Sequence, residues 1–142
     1  MALRAKNLMR KKVAVGTETT VKEAAHKMIS TGLPGLPVVN DKMEVVGVVT
    51  EFNVLGAIRE GMDLQKFFVA RIMTKQPMTA DVNADCHDLI QMMLLNNYTI
   101  IPIVNNAKYV GVVSRLSVID ANLSARYSSI TSRQQNEALV YV

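Results

Sequence analysis

The chain says nearly the same thing twice, and this constrains its fold more than any other feature. Val21, Ala24, Ala25, Met28 and Ile29 are followed by Leu36-Pro37-Val38-Val39-Asn40, then by Val45-Val46-Gly47-Val48-Val49-Thr50. The same order returns as Cys86, Leu89, Ile90, Met93 and Leu94, then Ile101-Pro102-Ile103-Val104-Asn105, then Tyr109-Val110-Gly111-Val112-Val113-Ser114. Self-similarity at this spacing means two copies of one small unit rather than a single long fold. Gly47 and Gly111 stand 64 residues apart, whereas Pro37 and Pro102 stand 65 apart. One residue has moved between loops, and a longer first loop in the second copy is expected to account for it.

Each copy reads as strand, helix, strand, strand, helix. In the first, Val13-Ala14-Val15 is a short strand, and Thr17, Glu18 and Thr19 lead into a helix with apolar residues at i, i+3, i+4, i+7 and i+8. Thr31-Gly32-Leu33-Pro34-Gly35 ends that helix, because glycine serves as a C-cap and proline cannot continue it. Leu36 to Val39 and Val45 to Val49 form a hairpin around Asn40-Asp41-Lys42, too continuously apolar to have a wet face. Thr50 caps a last helix, with Glu51 well placed against its dipole and Phe52, Leu55 and Ile58 expected to point inward. The second copy repeats this as a strand from Pro77 to Thr79, a helix from Asp85 to Asn96, strands Ile100–Val104 and Tyr109–Ser114, and a helix carrying Leu116 and Ile119.

The chain therefore divides into a first repeat at 1–60, a connector at 61–71, a second repeat at 72–123 and a polar, serine-rich tail at 124–142, with a stray strand allowed at 138–142. Phe67 and Phe68 are two adjacent aromatics in a chain with few, so the connector is expected to pack. With 142 residues, 49% hydrophobic and 20% charged, the chain is expected to build a real core.

The order β-α-β-β-α, given twice, resembles the cystathionine β-synthase (CBS) domain pair, or Bateman module. The resemblance runs from Leu8 to about Asn122. It is carried by Leu8-Met9 and Ile72-Met73 before each first strand, by the two Pro-containing strands, and by the glycine-led strands that end in Thr50 and Ser114. It implies an α/β fold of the α+β kind, with two tandem repeats packed through their sheets about a pseudo-twofold axis. It also implies a regulatory module rather than an enzyme, assembled as a homodimer, with two clefts for an adenosine ligand such as AMP, ADP, ATP or S-adenosylmethionine. No cofactor is required, and the effector protein is unknown.

The family's ligand motif is a glycine, two or three apolar residues, Thr or Ser, two further residues and Asp. The hydroxyl caps a helix whose free N–H groups favour phosphate, and the carboxylate accepts from both ribose hydroxyls. Here the copies read Gly47-Val48-Val49-Thr50-Glu51-Phe52-Asn53 and Gly111-Val112-Val113-Ser114-Arg115-Leu116-Ser117. Both caps survive, while Asn53 and Ser117 replace the carboxylates at a cost of roughly 1.5–3 kcal/mol of binding. Glu51 would repel a phosphate and Arg115 would attract one, so the cleft containing Ser114 and Arg115 is favoured. By resemblance, Val13, Val15, Leu36, Pro37, Met78, Ile101 and Pro102 line the adenine pockets. The alternatives stay open: Thr50 and Ser114 would cap their helices without a ligand, Arg115 can project into water, and the apolar positions are also ordinary core positions.

Three functions follow: an adenosyl-ligand sensor, a ligand-free dimerisation or interaction module, and a nucleic-acid binder using Arg4, Lys6, Arg10, Lys11 and Lys12. The excess of 16 Lys and Arg over 12 Asp and Glu is mild for a nucleic-acid surface, and a solvated basic strand edge accounts for this segment. Cys86 is the only cysteine, which excludes an intramolecular disulfide and suits a cytoplasmic protein. No apolar run reaches membrane-span length, and residues 1–12 lack a signal peptide's apolar centre. His26, His87 and Cys86 make no metal-site pattern, and no nucleophile motif, P-loop or dinucleotide fingerprint is present.

Overall fold

A computed structural model describes residues 2–10 and 12–129, with side chains as far as 124. The first copy contributes α1 (Ala5–Leu8), β1 (Val15–Gly16), α2 (Val21–Thr31), β2 (Gly35–Val39), β3 (Val45–Thr50) and α3 (Glu51–Arg59). After a 3-10 turn at Val69–Arg71, the second gives β4 (Thr74–Lys75), β5 (Ala80–Asp81), α4 (Cys86–Asn96), β6 (Ile100–Asn105), β7 (Lys108–Ser114) and α5 (Arg115–Ser129). The elements arise where local chemistry places them. Thr20 caps α2 by accepting from the Glu23 N–H at 3.1 Å. Gly32 closes α2 in the left-handed region at φ 72°, where a side chain would be strained; in the second copy Asn97 takes the same conformation at φ 56°.

Two sheets result. One has the order β1-β2-β3-β4 and the other β5-β6-β7, each with a parallel first pair and an antiparallel hairpin. β4 belongs to the second copy but pairs with β3 of the first, through Gly47 with Lys75 and Val48 with Thr74. The hairpins show where the repeat offset returns from 65 to 64: Val39 pairs with Val45, whereas Val104 pairs with Tyr109. The first copy thus has one more residue in its hairpin turn, a second shift beyond the longer first loop expected from sequence.

The copies exchange their entrance segments. Ala5 and Leu8, from the start of the first copy, are fully buried in the core built by Cys86, Leu89, Ile101, Ile103 and Val113 of the second. Conversely Val69 is fully buried among Val15, Val21, Leu36 and Val49 of the first, with Ile72 and Met73 packed beside it. The glycines of the repeat make this possible. A β-carbon at Gly111 would lie 2.7 Å from Met9 Sδ, and one at Gly47 would collide with Met73 Sδ. A third small cluster of Val48, Ile100 and Val112, with Leu33 against it, joins the two sheets. Tyr109 adds a polar tie by donating its buried hydroxyl to the Val13 carbonyl at 2.7 Å.

The connector packs through Phe67, which is half-buried against the first core, whereas Phe68 is exposed. Phe67 and Leu64 carbonyls accept from the Val21 and Lys22 N–H groups at 2.9 Å, and Arg71 lies 5.0 Å over the Phe67 ring. Other expectations need correction. The first strands are Val15–Gly16 and Ala80–Asp81, not Val13–Val15 and Pro77–Thr79, because 76–79 spans the gap between the sheets and Pro77 has no N–H to donate. Phe52, Leu55, Ile58, Leu116 and Ile119 all face outward, at 53–79% exposure. The small residues Val54 and Ala57, with Val118 and Ala121, occupy the inner stripe, since α3 and α5 lie close against the core. The hairpin is fully buried only towards its end, as Val45 and Val46 are half-buried. The basic segment is no continuous strand edge: Arg4 makes a single antiparallel bridge with Asp85 and donates to the Asn83 carbonyl, Lys6 lies in α1 and Arg10 pairs with Asp120, while Lys11 lies outside the described residues. The chain stays helical past Leu123 to Ser129, and the strand allowed at 138–142 lies outside the described residues.

Candidate functional site

Because the entrance segments are exchanged, each cleft is built from both copies. In both, a hairpin end from one copy meets the entrance segment and the loop before the Pro-containing strand of the other. The larger cleft, about 390 Å³, is lined by Val48, Thr50 and Phe52 of the first copy and by Thr74, Gln76, Pro77, Met78, Asn97, Tyr98, Thr99, Ile100, Pro102 and Arg115 of the second. The smaller, about 250 Å³, is lined by Val112, Ser114, Leu116, Ser117 and Asp120 of the second copy and by Arg10, Thr31, Gly32 and Leu33 of the first.

Thr50 and Ser114 sit at corresponding helix starts, and both cap. Thr50 Oγ1 accepts from the Asn53 N–H at 3.3 Å, and Ser114 Oγ from the Ser117 N–H at 3.2 Å. The residues standing where the family motif has Asp turn back towards the caps. Asn53 Oδ1 accepts from the Thr50 N–H at 2.8 Å and from its hydroxyl at 3.0 Å. Ser117 Oγ accepts from the Ser114 N–H and donates to the Ser114 carbonyl, both at 2.9 Å. These capping boxes satisfy N–H groups that a helix leaves orphaned.

Sequence order puts Ser114 and Arg115 in one cleft; the structure separates them. Consecutive residues of a helix point in different directions, and Arg115 turns away from the smaller cleft onto the loop before β6. Its Nε donates to the Tyr98 carbonyl at 2.9 Å and its Nη2 to Asn97 Oδ1 at 2.8 Å. Arg115 thereby becomes the one charged side chain lining the larger cleft among the described residues, beside Thr50. Of the residues singled out from sequence, Thr50, Met78, Pro102 and Arg115 line the larger cleft, and Ser114 and Ser117 the smaller. Val15, Leu36, Pro37 and Ile101 are buried in the cores or sheets, Val13 is half-buried against the first core, and Asn53 is half-buried in the first turn of α3, folded back on Thr50; none of the six lines either cleft. No local pattern marks Gln76, Asn97, Tyr98 or Asp120 for a cleft, while Arg10 enters from the basic segment and Phe52 from the outer face of α3.

A second feature is the outer face of the helices. An apolar groove of about 410 Å³ runs between α2 and α3, lined by Met28, Ile29, Val54 and Leu55. Its counterpart between α4 and α5, about 600 Å³, is lined by Met93, Leu94, Ile119 and Leu123. Exposed apolar surface of this continuity marks a contact surface. No cluster of His, Cys, Asp and Glu fit for a metal ion occurs among the described residues, and no helix there is long and apolar enough to cross a membrane.

Comparison with known proteins also finds two copies of one domain in this chain. The CBS-domain profile matches residues 5–60 and again 69–124. The chain belongs to the CBS-domain family. The CBS fold is shared with CBSX2 solved in complex with AMP, at 24% identity and a TM-score of 0.76, over 87% of this chain and 98% of that one. It is shared equally with the CBS domain pair of protein MJ0100 in complex with 5′-methylthioadenosine and S-adenosyl-L-methionine, at 21% identity and TM-score 0.76, over 89% and 99% of the two chains. An uncharacterized conserved protein from Pyrococcus horikoshii is 30% identical at a TM-score of 0.72, over 84% of this chain and 91% of that one. Among curated proteins, 110 residues are 27% identical to homoserine O-acetyltransferase of Methanococcus vannielii, covering 76% of this chain but 22% of the acetyltransferase. An uncharacterized Methanopyrus kandleri protein is 28% identical, over 72% of this chain and 53% of its own length. The chain thus spans between a fifth and about half of these curated relatives.

Proposed function

We propose that this CBS pair is a non-catalytic regulatory module of the cytoplasm that binds an adenosine-containing ligand in the larger cleft and signals through the geometry of a homodimer to an effector protein. The observation that carries this reading is the cleft's chemistry. Val48, Ile100, Pro102 and Met78 offer apolar walls for a flat heterocycle, and Arg115, pinned by Asn97 and Tyr98, offers a single cation for a phosphate. AMP, bound to one structural neighbour, has both the heterocycle and the phosphate this chemistry suits, and the methylthioadenosine and S-adenosylmethionine bound to another share its adenosine part. The exposed apolar grooves of α2–α5 support the dimer, since a second copy covers them best with their own kind of surface.

The test is a thermal-shift series with AMP, ADP, ATP and S-adenosylmethionine. A ligand at a hundredfold its Kd stabilises the folded state by about 2.7 kcal/mol. Arg115→Ala should abolish the shift with the phosphorylated ligands. Light scattering should give a dimer mass, and Leu55→Glu with Ile119→Glu a monomer. The opposing reading, a ligand-free interaction module, is favoured by the inward-turned Asn53 and Ser117; it expects no shift with any of the four ligands.

A further inference from the structure

The repeat makes the two clefts equivalent by ancestry, so every difference between them is informative. Two matched positions differ in a way that bears on the ligand. Arg10 of the smaller cleft corresponds to Thr74 of the larger, and Asp120 to Gly56, each 64 residues away. In the smaller cleft the pair is formed, with Arg10 Nη2 donating to Asp120 Oδ2 at 3.0 Å. Arg10 also leans on its own segment, Nη1 lying 3.4 Å from the Asn7 carbonyl. In the larger cleft no such pair can exist. A β-carbon built at Gly56 would meet nothing within 4 Å, so the space that Asp120 occupies in one copy is left open in the other.

We propose that Arg10 and Asp120 close the smaller cleft with a counter-ion the chain supplies itself, so that the protein takes up one nucleotide per chain, in the larger cleft. Volume agrees. The larger cleft measures about 390 Å³, and the smaller, with the Arg10–Asp120 pair formed in it, about 250 Å³. Charge agrees as well. The larger cleft carries the unneutralised Arg115, whereas a phosphate entering the smaller one meets a cation already paired and a carboxylate of its own sign. Ser117, the residue at the family's diol-binding position, has its hydroxyl committed in both directions to Ser114. Arg10 reaches this cleft only because the entrance segments are exchanged, so the device joins the start of the first copy to the last helix of the second.

This inference rests on the larger cleft being a nucleotide site, and the experiment separates the two. Titration calorimetry with AMP reads the stoichiometry of the intact protein and four variants. One equivalent is expected for the wild type, two for Asp120→Asn, which frees Arg10, and none for Arg115→Ala. The double variant Asp120→Asn with Arg115→Ala should return to one. Arg10→Ala, which removes the pair but also the cation, should stay at one. Asp120 is exposed and the exchange to Asn is nearly isosteric, so the variant is expected to keep the wild-type melting temperature; Asp120→Ala serves as a second test of the same outcome. Two equivalents in the wild type, or one in both Asp120 variants, would overturn the proposal. No binding by the wild type but one equivalent in Asp120→Asn would sink the larger cleft as a site and leave the self-closed smaller cleft standing. No binding by either would overturn both.

Discussion

Restoring the missing carboxylate should tighten nucleotide binding about tenfold when it is made at Asn53 and leave it unchanged when it is made at Ser117. Asn53 Oδ1 already accepts from the Thr50 N–H and hydroxyl at 2.8 and 3.0 Å. In Asn53→Asp one carboxylate oxygen keeps both bonds, and the second replaces the amide nitrogen with an acceptor for ribose hydroxyls. A hydrogen bond to a charged group contributes about 1.5–3 kcal/mol. Partial desolvation of the new charge leaves about 1.4 kcal/mol, a tenfold fall in Kd. Glu51 two residues earlier does not face the new group on the helix, and the cap residue Thr50, which residue 53 contacts, shares the larger cleft with Arg115. Ser117→Asp should leave the affinity unchanged, because the Arg10–Asp120 pair closes its cleft and Asp120 stands one turn further along the same helix. Sequence alone reverses this order, since it places Arg115 beside Ser117. Calorimetry with AMP on the wild type and both variants decides. Equal or greater tightening by Ser117→Asp would refute the assignment of the cationic cleft.

Val48→Asp or Val112→Asp sets an unpaired carboxylate between the two sheets, where these side chains are 7% and 2% exposed, at a cost of several kcal/mol; soluble folded protein should be lost, and an unchanged melting temperature would contradict the packing. Burial pushes the Tyr109 hydroxyl up to about 12. Its neutral form is thus favoured in the folded state, so this contribution to stability is whole below pH 10 and is lost between pH 10 and 12, by about 2 kcal/mol. Tyr109→Phe should lose about 1 kcal/mol at neutral pH and show a flatter decline across that window in denaturant titrations. Gly111→Ala drives a methyl to 2.7 Å from Met9 Sδ and should cost about 1–3 kcal/mol; the cost should shrink in a Met9→Ala background, and a cost independent of residue 9 would argue against the exchanged entrance segments.

Much of the fold follows from local pattern. The period of Val21, Ala24 and Met28 defines a helix, Thr50 and Ser114 cap because a hydroxyl before a helix has free N–H groups to accept from, and Gly32 ends α2 because glycine accepts a positive φ without strain. These are interactions among residues within a few positions of each other, and the repetition of the whole order identifies the CBS pair. Other features depend on residues that meet only after folding. Met9 reaches Gly111, Arg10 reaches Asp120 and Tyr109 reaches Val13 across roughly a hundred residues, and periodicity carries no record of such contacts. The inward face of α3 differs from the one its sequence suggests for a related reason. Both of its faces are apolar, and what separates them is how close the helix lies to the core, which admits Val54 and Ala57 and turns Phe52, Leu55 and Ile58 outward. The sequence by itself determined the two copies and their elements. Tertiary structure alone decided that the copies exchange their entrance segments, and with that which cleft holds Arg115 and which is closed by Arg10 and Asp120.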